Sequence, residues 1–533
     1  MSADNGRLRV LVTDKIDPAG LRPLAEDAGV ELLMAVGDQA KMDEWVPGAH
    51  VWLVRSETKV TEPWLAKAKA LRLIGRAGVG VDNIDVAGAS RRGIAVINAP
   101  AANTISACEH AWALLLATAR KVAAADASMH AGGWERSKFM GVELAGKTLG
   151  LVGLGRIGRE VAKRAAAFGM KVLAYDPYIS GKQAEGFGIE LADFKDLLGR
   201  SDFVSLHVPL TEKTRHMVDA KSLEWFKPGA RLINCARGEL VNEADLAAAL
   251  EGGRLAGAGL DVFETEPLAK DSALRSLPQL VLTPHLGAST AEAQLKVAEE
   301  LSRSVLEFHE RGVARNAINL PGFDPDLLEA LGPWLNLAET LGRFLGQNLD
   351  GGLKGVRVRF HGDFPAPQRH PLAVAALKGT LSTILEATLS YINAPILALE
   401  RGIEHSEAVA PAPEGYARLL EVTAVTDRGE HGVTGSVGED GGPRLARLDH
   451  LPVDVSPRGK MLVLSNSDKP GMIGAVGTLL GRHGVNIADM RVGRRAPHGE
   501  AVMVITVDEQ LPPAGLAELK ALDGIRTVRW VVL

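Results

Sequence analysis

The sequence predicts an α/β multidomain protein, and three observations carry that prediction. Short apolar, β-branched runs alternate with helical stretches from Leu8 to about residue 290, the order of parallel sheets covered by helices. A Gly-x-Gly-x-x-Gly turn, Gly153-Leu154-Gly155-Arg156-Ile157-Gly158, opens one of those helices. The segment from Lys460 to Leu533 reads strand-helix-strand-strand-helix-strand, an order unlike anything before it.

The elements follow in sequence. LRVLVT (8–13) is a first strand, Asp17-Pro18 a helix start, and Val30–Val36 a second strand. HVWLVRS, a helix around Trp64–Ala70, LRLIGRAG and GIAVINAP continue the pattern to about residue 98. An alanine-rich helix is expected from Thr104 to about Ala127. Lys147–Pro177 then reads as strand, tight turn, helix and strand. SDFVSLHVPL, ARLINCARGEL, AGAGLDVFE and LVLTPHLGAS each begin a further unit. Thr290–Arg311 reads as one long helix. From about residue 320 the pattern changes to a helical pass (Leu327–Leu349), a strand (GVRVRFHGDF), another helix and a Gly-rich loop, VGEDGGP.

Composition narrows the function classes. The 533 residues suffice for three or four domains, and 46% hydrophobic with 23% charged is an ordinary globular balance. A formal net charge of −5 gives no general attraction to nucleic acid or anionic membrane, so any anion site must be local. The two cysteines, Cys108 and Cys235, are too few for a disulfide framework and fit a reducing compartment. No apolar run reaches about 18 residues, and the N-terminal stretch lacks a signal-peptide core. A soluble, cytoplasmic protein is expected, with no metal.

The glycine turn gains meaning from its context. TLGLVGLG supplies a strand before it and RIGREVAKRAAAFG an amphipathic helix after it. KVLAYD then ends on Asp176, about 20 residues on, where a ribose-binding carboxylate belongs. Glycines let the backbone approach a pyrophosphate lying on the helix N-terminus. A carboxylate repels a 2′-phosphate, and Pro177-Tyr178 offers no compensating arginine, so NAD is expected in preference to NADP.

Ligands of doubly wound sheets gather beyond the carboxyl ends of the strands. Three ionisable residues lie there: Arg237 in NCARGEL, Glu266 in DVFETEP and His285 in TPHLGAS. Oxidation of an alcohol by hydride loss needs a base for the hydroxyl proton and a cation for the forming carbonyl. Histidine suits the first task and arginine the second, and a buried glutamate against the imidazole would fix its tautomer.

Over about residues 7–320 the sequence resembles the D-specific 2-hydroxyacid dehydrogenases, in the blocks GRAGVGVDNID, WERSKFMGVELAGKTLGLVGLGRIGREVA, NCARGELV, GLDVFETEP and PHLGAST. The resemblance implies that Arg237 contacts substrate carboxylate and carbonyl, that His285 is the acid/base, and that Glu266 orients it. It implies NAD contacts at Gly153, Gly155, Arg156, Ile157, Gly158 and Asp176. His207, Val208, Pro209, Cys235, Ala236, Asp261, His285 and Gly287 would line the adenine and nicotinamide parts. Val79 stands at the nicotinamide end where many relatives have Thr, and Glu239 stands where many have Gly.

Within the family the chain is most similar to the long phosphoglycerate-oxidising type. That likeness implies 3-phosphoglycerate as substrate, L-serine as a feedback effector and a homo-oligomer, a tetramer. The substrate would be bound by Arg55, Ser56, Lys59, Arg76, Gly78 and Asn83, its anionic end by the cations Arg55, Lys59 and Arg76, with Arg136 arriving from a neighbouring subunit. The implied division is a flavodoxin-like substrate lobe (1–98 and 289–319), a Rossmann-type NAD domain (99–288), an intervening α+β domain (320–455) and a C-terminal βαββαβ ACT domain (456–533). Arg444 and Arg447 are candidates for an allosteric anion site in the intervening domain.

The tail carries a second glycine loop, Asp468-Lys-Pro-Gly471-Met-Ile-Gly474. Asp468 suits an amino group, the amides around Gly471 a carboxylate, and Asn486, from the opposite strand of a paired domain, either one. That set fits a small zwitterion and not a nucleotide. Two other readings stay open: a shorter-chain activity such as glyoxylate or hydroxypyruvate reduction, and a catalytically silent amino-acid sensor.

Overall fold

The computed structural model describes residues 6–312 and 314–533, whose strands form four sheets. The first contains β1 (Leu8–Val12), β2 (Val30–Met34), β3 (Val51–Val54), β4 (Leu73–Arg76) and β5 (Ala95–Asn98), all parallel, in the order β2-β1-β3-β4-β5. This is the flavodoxin-like winding. Its strands are apolar without alternation because both faces are covered. Val10, Val51 and Ile97 point into one core, and Leu11, Trp52 and Val96 into the other.

The second sheet contains β6 (Thr148–Val152), β7 (Lys171–Tyr175), β8 (Glu190–Leu191), β9 (Phe203–Leu206), β10 (Ala230–Asn234), β11 (Leu255–Leu260) and β12 (Leu280–Leu282). Their order is β12-β11-β10-β9-β6-β7-β8, again parallel throughout. The winding reverses between β6 and β9, which opens a crevice beyond their carboxyl ends.

Helix Ala291–Arg311 leaves this second unit and packs back on the first. The approach to helix Pro18–Glu26 is so close that a side chain at Gly20 would fall 2.4 Å from the Ala298 methyl. Ser302 seals the contact by donating to the Gly20 carbonyl at 2.7 Å. The expected single helix from Thr104 to Ala127 is instead two, Thr104–Arg120 and Val122–His130. The break is Lys121, which takes φ +52°. The cause is tertiary: the returning chain hydrogen-bonds across the helix end, Val142 N–H to Ala119 O at 3.0 Å.

The third sheet, β13 (Leu353–Gly362), β14 (Glu404–Ala410), β15 (Arg418–Thr426), β16 (Gly429–Val437), β17 (Pro443–Leu448) and β18 (Leu451–Val455), is antiparallel except for the β13–β14 pair. Helices Pro325–Gln347 and Ala366–Leu381 cover one face of it. The fourth, β19 (Lys460–Ser467), β20 (Ile487–Arg494), β21 (Glu500–Val507) and β22 (Ile525–Val532), is ordered β20-β21-β19-β22 and antiparallel. One face buries Leu462, Leu464, Met503 and Ile505 under its two helices. The other sends Met461, Val463, Val502, Val504 and Val531 into the core of the third sheet.

The connector after helix Ala291–Arg311 ties this C-terminal half to the first lobe. Asn319 accepts from Val96 N–H and donates to Ser90 Oγ and Ile94 O, each at 2.9 Å. Among the described residues no helix is long and apolar enough to cross a membrane.

Candidate active site

The β6 turn has the shape a dinucleotide needs. Gly153 takes φ +98°, and a Cβ there would lie 2.5 Å from the His207 carbonyl. A Cβ on Gly158 would lie 2.2 Å from Gly153 O, so the third glycine lets the helix press against the turn. Gly155, by contrast, faces open space. Its neighbours Arg156 and Ile157 begin the helix Arg156–Ala167, whose free amides attract a pyrophosphate. Asp176 accepts from Leu154 N–H and Tyr178 N–H, each at 2.9 Å and each on a different oxygen. Both oxygens keep a lone pair for ribose hydroxyls, so the residues present fit NAD.

Two titratable groups of the crevice wall, His207 and Cys235, are neutral. The His207 imidazole bonds to Ser205 Oγ at 2.9 Å, and desolvation pushes it down to about 4, so it is neutral at pH 7. Burial, and secondarily the Asp261 carboxylate, pushes the Cys235 thiol well up, which makes it a neutral contact and not a nucleophile. Val208 and Pro209 follow His207, and Ala236 follows Cys235.

His285 and Glu266 meet. The His285 Nδ1 lies 2.8 Å from Glu266 Oε2, whose other oxygen accepts from Phe263 N–H at 3.2 Å. With Nδ1–H donated to the carboxylate, Nε2 is left toward the cleft. The expected burial of the glutamate is not found: its side chain is 37% exposed and that of His285 48%, because both project from loops into the open cleft. His285 takes φ +56°, and Asp261 explains how that is held. Although burial alone would raise it, Asp261 is held below the usual carboxylate range by His110, Thr283 and the Leu286 amide. It also accepts from Gly287 N–H at 2.8 Å, and its carbonyl accepts from His285 N–H at 2.8 Å. The sequence assigns Asp261 to the cofactor wall. The structure spends its acceptors on the loop that presents His285.

Arg237 reaches the same cleft from the loop after β10. Its Nε donates to Asp82 of the first lobe at 2.9 Å and its Nη1 to Ala236 O at 2.6 Å. Arg76, at the end of β4, has a buried Nε without a partner. Burial first, then repulsion by Arg237 and Arg55, lower it to about 10, still charged at neutral pH. Gly78 leaves room for it, since a Cβ there would lie 1.6 Å from Arg76 Nη1. The loop bearing Arg55 and Ser56 wraps around Asp14, a carboxylate 1% exposed that accepts from the amides of Arg55, Glu57 and Thr58 and from the Thr58 hydroxyl. Asn83 donates to Thr58 O at 2.7 Å and so braces this loop, while Lys59 is exposed. Val79 O accepts from Asn98 Nδ2 at 2.5 Å.

Not every predicted residue is gathered. Arg136 sits on an exposed turn between Trp134 and Met140, each 76% exposed. Arg444 pairs with Asp454 at 2.6 Å and lines a cleft of about 690 Å³ with Arg458, Lys460 and Arg491, whereas Arg447 is exposed and not part of that lining. In the tail, Gly471 takes φ +88° and opens helix Met472–Arg482. Asp468 accepts from Arg494 Nη1 at 2.7 Å and from His498 N–H at 3.1 Å, and Arg494 holds it below its ordinary range. Asn486 donates to Asp508 at 2.7 Å. Ser467 pairs with Glu500 and Lys460 with Val507, so Asp468 and Asn486 lie at opposite ends of the sheet, roughly 25 Å apart. Only two copies could bring them to one ligand.

Asp82, Asp14, His110, Thr283 and Arg494 escape a reading by motif. Asp14 and Asp82 stand just past strands of the first lobe, which is the signal that would find them. Asn466 escapes too, a side chain 1% exposed beside Asp468 whose Oδ1 has no partner.

Comparison with known proteins gives consistent matches. Residues 112–287 match the model of the D-isomer specific 2-hydroxyacid dehydrogenase NAD binding domain. Residues 330–449 match the D-3-phosphoglycerate dehydrogenase intervening domain, and 460–524 the ACT domain. A D-3-phosphoglycerate dehydrogenase of Synechocystis is 43% identical over 526 residues, 98% of this chain and 95% of the other. One from Methanocaldococcus jannaschii is 40% identical, over 98% and 99%. Among solved structures, the Aquifex aeolicus D-lactate dehydrogenase complexed with NAD and lactic acid aligns with TM-score 0.51 and 31% identity over 56% of this chain and 95% of its own. A Paecilomyes thermophila glyoxylate reductase aligns with TM-score 0.53 and 28% identity, over 58% and 98%.

Proposed function

The chain belongs to the D-isomer specific 2-hydroxyacid dehydrogenase family, in its D-3-phosphoglycerate dehydrogenase branch, and we propose how its side chains divide the work. The activity is NAD-dependent oxidation of 3-phospho-D-glycerate to 3-phosphohydroxypyruvate, the first step toward L-serine. The observation that carries the assignment of roles is the His285–Glu266 pair at 2.8 Å, which follows β11 and β12 as Arg237 follows the neighbouring β10. When bound, NAD supplies the acceptor for the hydride leaving C2. His285 Nε2 takes the C2 hydroxyl proton, and Glu266 stabilises the imidazolium that forms. The Arg237 fork holds the substrate carboxylate and polarises the forming carbonyl. Arg55 and Arg76 receive the phosphate, with Arg136 of a second copy completing the cationic rim.

In the same reading, two paired ACT domains bind L-serine between Asp468 of one and Asn486 of the other, and the enzyme is a tetramer. The zwitterion's ammonium meets a carboxylate and its carboxylate meets helix amides. An assay of NADH formation tests both halves together. Full-length protein should form NADH with 3-phosphoglycerate, far more slowly with unphosphorylated D-glycerate, and L-serine should slow it. Equal rates on both substrates would remove the phosphate pocket, and indifference to L-serine would remove the effector site.

A further inference from the structure

Asp82 lies in the substrate lobe, yet its nearest charged partner belongs to the other lobe. Arg237 Nε donates to Asp82 Oδ2 at 2.9 Å, while Nη1 donates to the carbonyl of its own neighbour Ala236 at 2.6 Å. The guanidinium lies over Gly80, where a Cβ would fall 1.7 Å from Nη2 and 2.8 Å from Asp82 Oδ2. Gly80 is therefore the floor on which the arginine and its carboxylate meet. A guanidinium has five N–H groups, of which these contacts use two. Three N–H groups remain, one on Nη1 and two on Nη2, and these two nitrogens together can match a carboxylate in a fork.

We propose that Asp82 is a positioning residue for the reaction: by gripping the Nε edge of Arg237 from across the cleft, it turns the Nη edge toward the substrate. The proposal rests on the reading that Arg237 binds substrate. Asp82 contributes little to stability, because its side chain is 65% exposed and an ion pair in solvent is weak. What it supplies is direction. Arg237 sits near Arg76, and the two cations repel each other. Without a carboxylate on the Nε side, the guanidinium would swing into solvent. Asp82 acts against that repulsion, and it does the same at Arg76, which Arg237 pushes down and Asp82 supports. Because β4 belongs to one lobe and β10 to the other, Arg237 is aimed only while the lobes are close. The pair thus couples closure of the cleft to readiness for hydride transfer.

Kinetics of the full-length enzyme with 3-phosphoglycerate and NAD test this. Asp82→Asn should lower kcat about 10-fold or more, as expected when a reacting group is misplaced by about 1 Å. KM for NAD should not change and KM for 3-phosphoglycerate should change less than about 3-fold, because the phosphate contacts remain. Asp82→Glu, which keeps the charge, should recover most of kcat. In an Arg237→Lys background, which lacks the Nε–H, Asp82→Asn should cost less than about 2-fold. An unchanged kcat, a pure rise in KM, or equal losses in both backgrounds would overturn the positioning role. A wild-type enzyme that forms no NADH would instead overturn the reading on which the role rests.

Discussion

At the scale of single residues, the site works by giving each charge a directional partner. Arg76 shows what happens where one is withheld: its Nε is buried and unpaired, and its neighbours Arg55 and Arg237 carry the same sign. Burying an N–H that has no acceptor is costly, and an anionic substrate group would supply one. Arg76→Ala should therefore raise KM for 3-phosphoglycerate by about 10- to 100-fold, as loss of a charge-assisted contact predicts, while D-glycerate is affected far less. Steady-state kinetics on the two substrates would show it, and equal effects on both would argue for a loss of folding. Arg76 is legible in the sequence as a cation after a strand. Asp14 and Asp82, which aim the cations, also follow strands, but nothing nearer marks them, because an acidic residue in a loop looks the same whether it is solvated or gripping an amide.

At the scale of elements, the junction of β6 and β9 shows how close packing sets a titration. His207 directly follows β9, its carbonyl presses on Gly153, and desolvation lowers its ring to about 4 from the ordinary 6.5. Between those values the unfolded chain holds more protons than the folded one, so stability is complete above about pH 6.5 and falls as pH drops toward 4. Allowing for solvent that reaches part of the ring, the loss should be about 1–2 kcal/mol. Denaturant melts of wild type and His207→Gln from pH 7 to 4 would measure it, the variant having the shallower dependence. The existence and type of most elements were legible from periodicity. The break at Lys121 was not, because alanine-rich sequence favours helix on both sides and the returning chain at Val142 decides where it stops.

At the scale of the whole molecule, the C-terminal half is one packing unit. Met461, Val463 and Val504 of the fourth sheet share a core with Leu337, Leu341 and Val433 of the third. The two domains should therefore melt together. Val504→Asp places an unpaired charge at a fully buried position and should cost about 4 kcal/mol or more, lowering the melting temperature of that unit by roughly 10 °C. Calorimetry with and without NADH would separate this transition from that of the cofactor-binding half. Independent melting of the ACT domain would contradict the shared core.

The amino-acid sequence by itself determined the α/β multidomain class, the NAD turn and its Asp176, and the positions of Arg237, Glu266 and His285 past strand ends. These rest on local signals: strand and helix periodicity, obligatory glycines, and functional groups just past strand ends. Tertiary structure alone decided which carboxylates hold those groups. It assigned Asp82 to Arg237 across the cleft, Asp14 to the Arg55 loop and Asp261 to the turn at His285. It also set Asp468 and Asn486 at opposite ends of one sheet. The physical reason is range: a hydrogen bond between residues 155 positions apart leaves no mark on the sequence near either one.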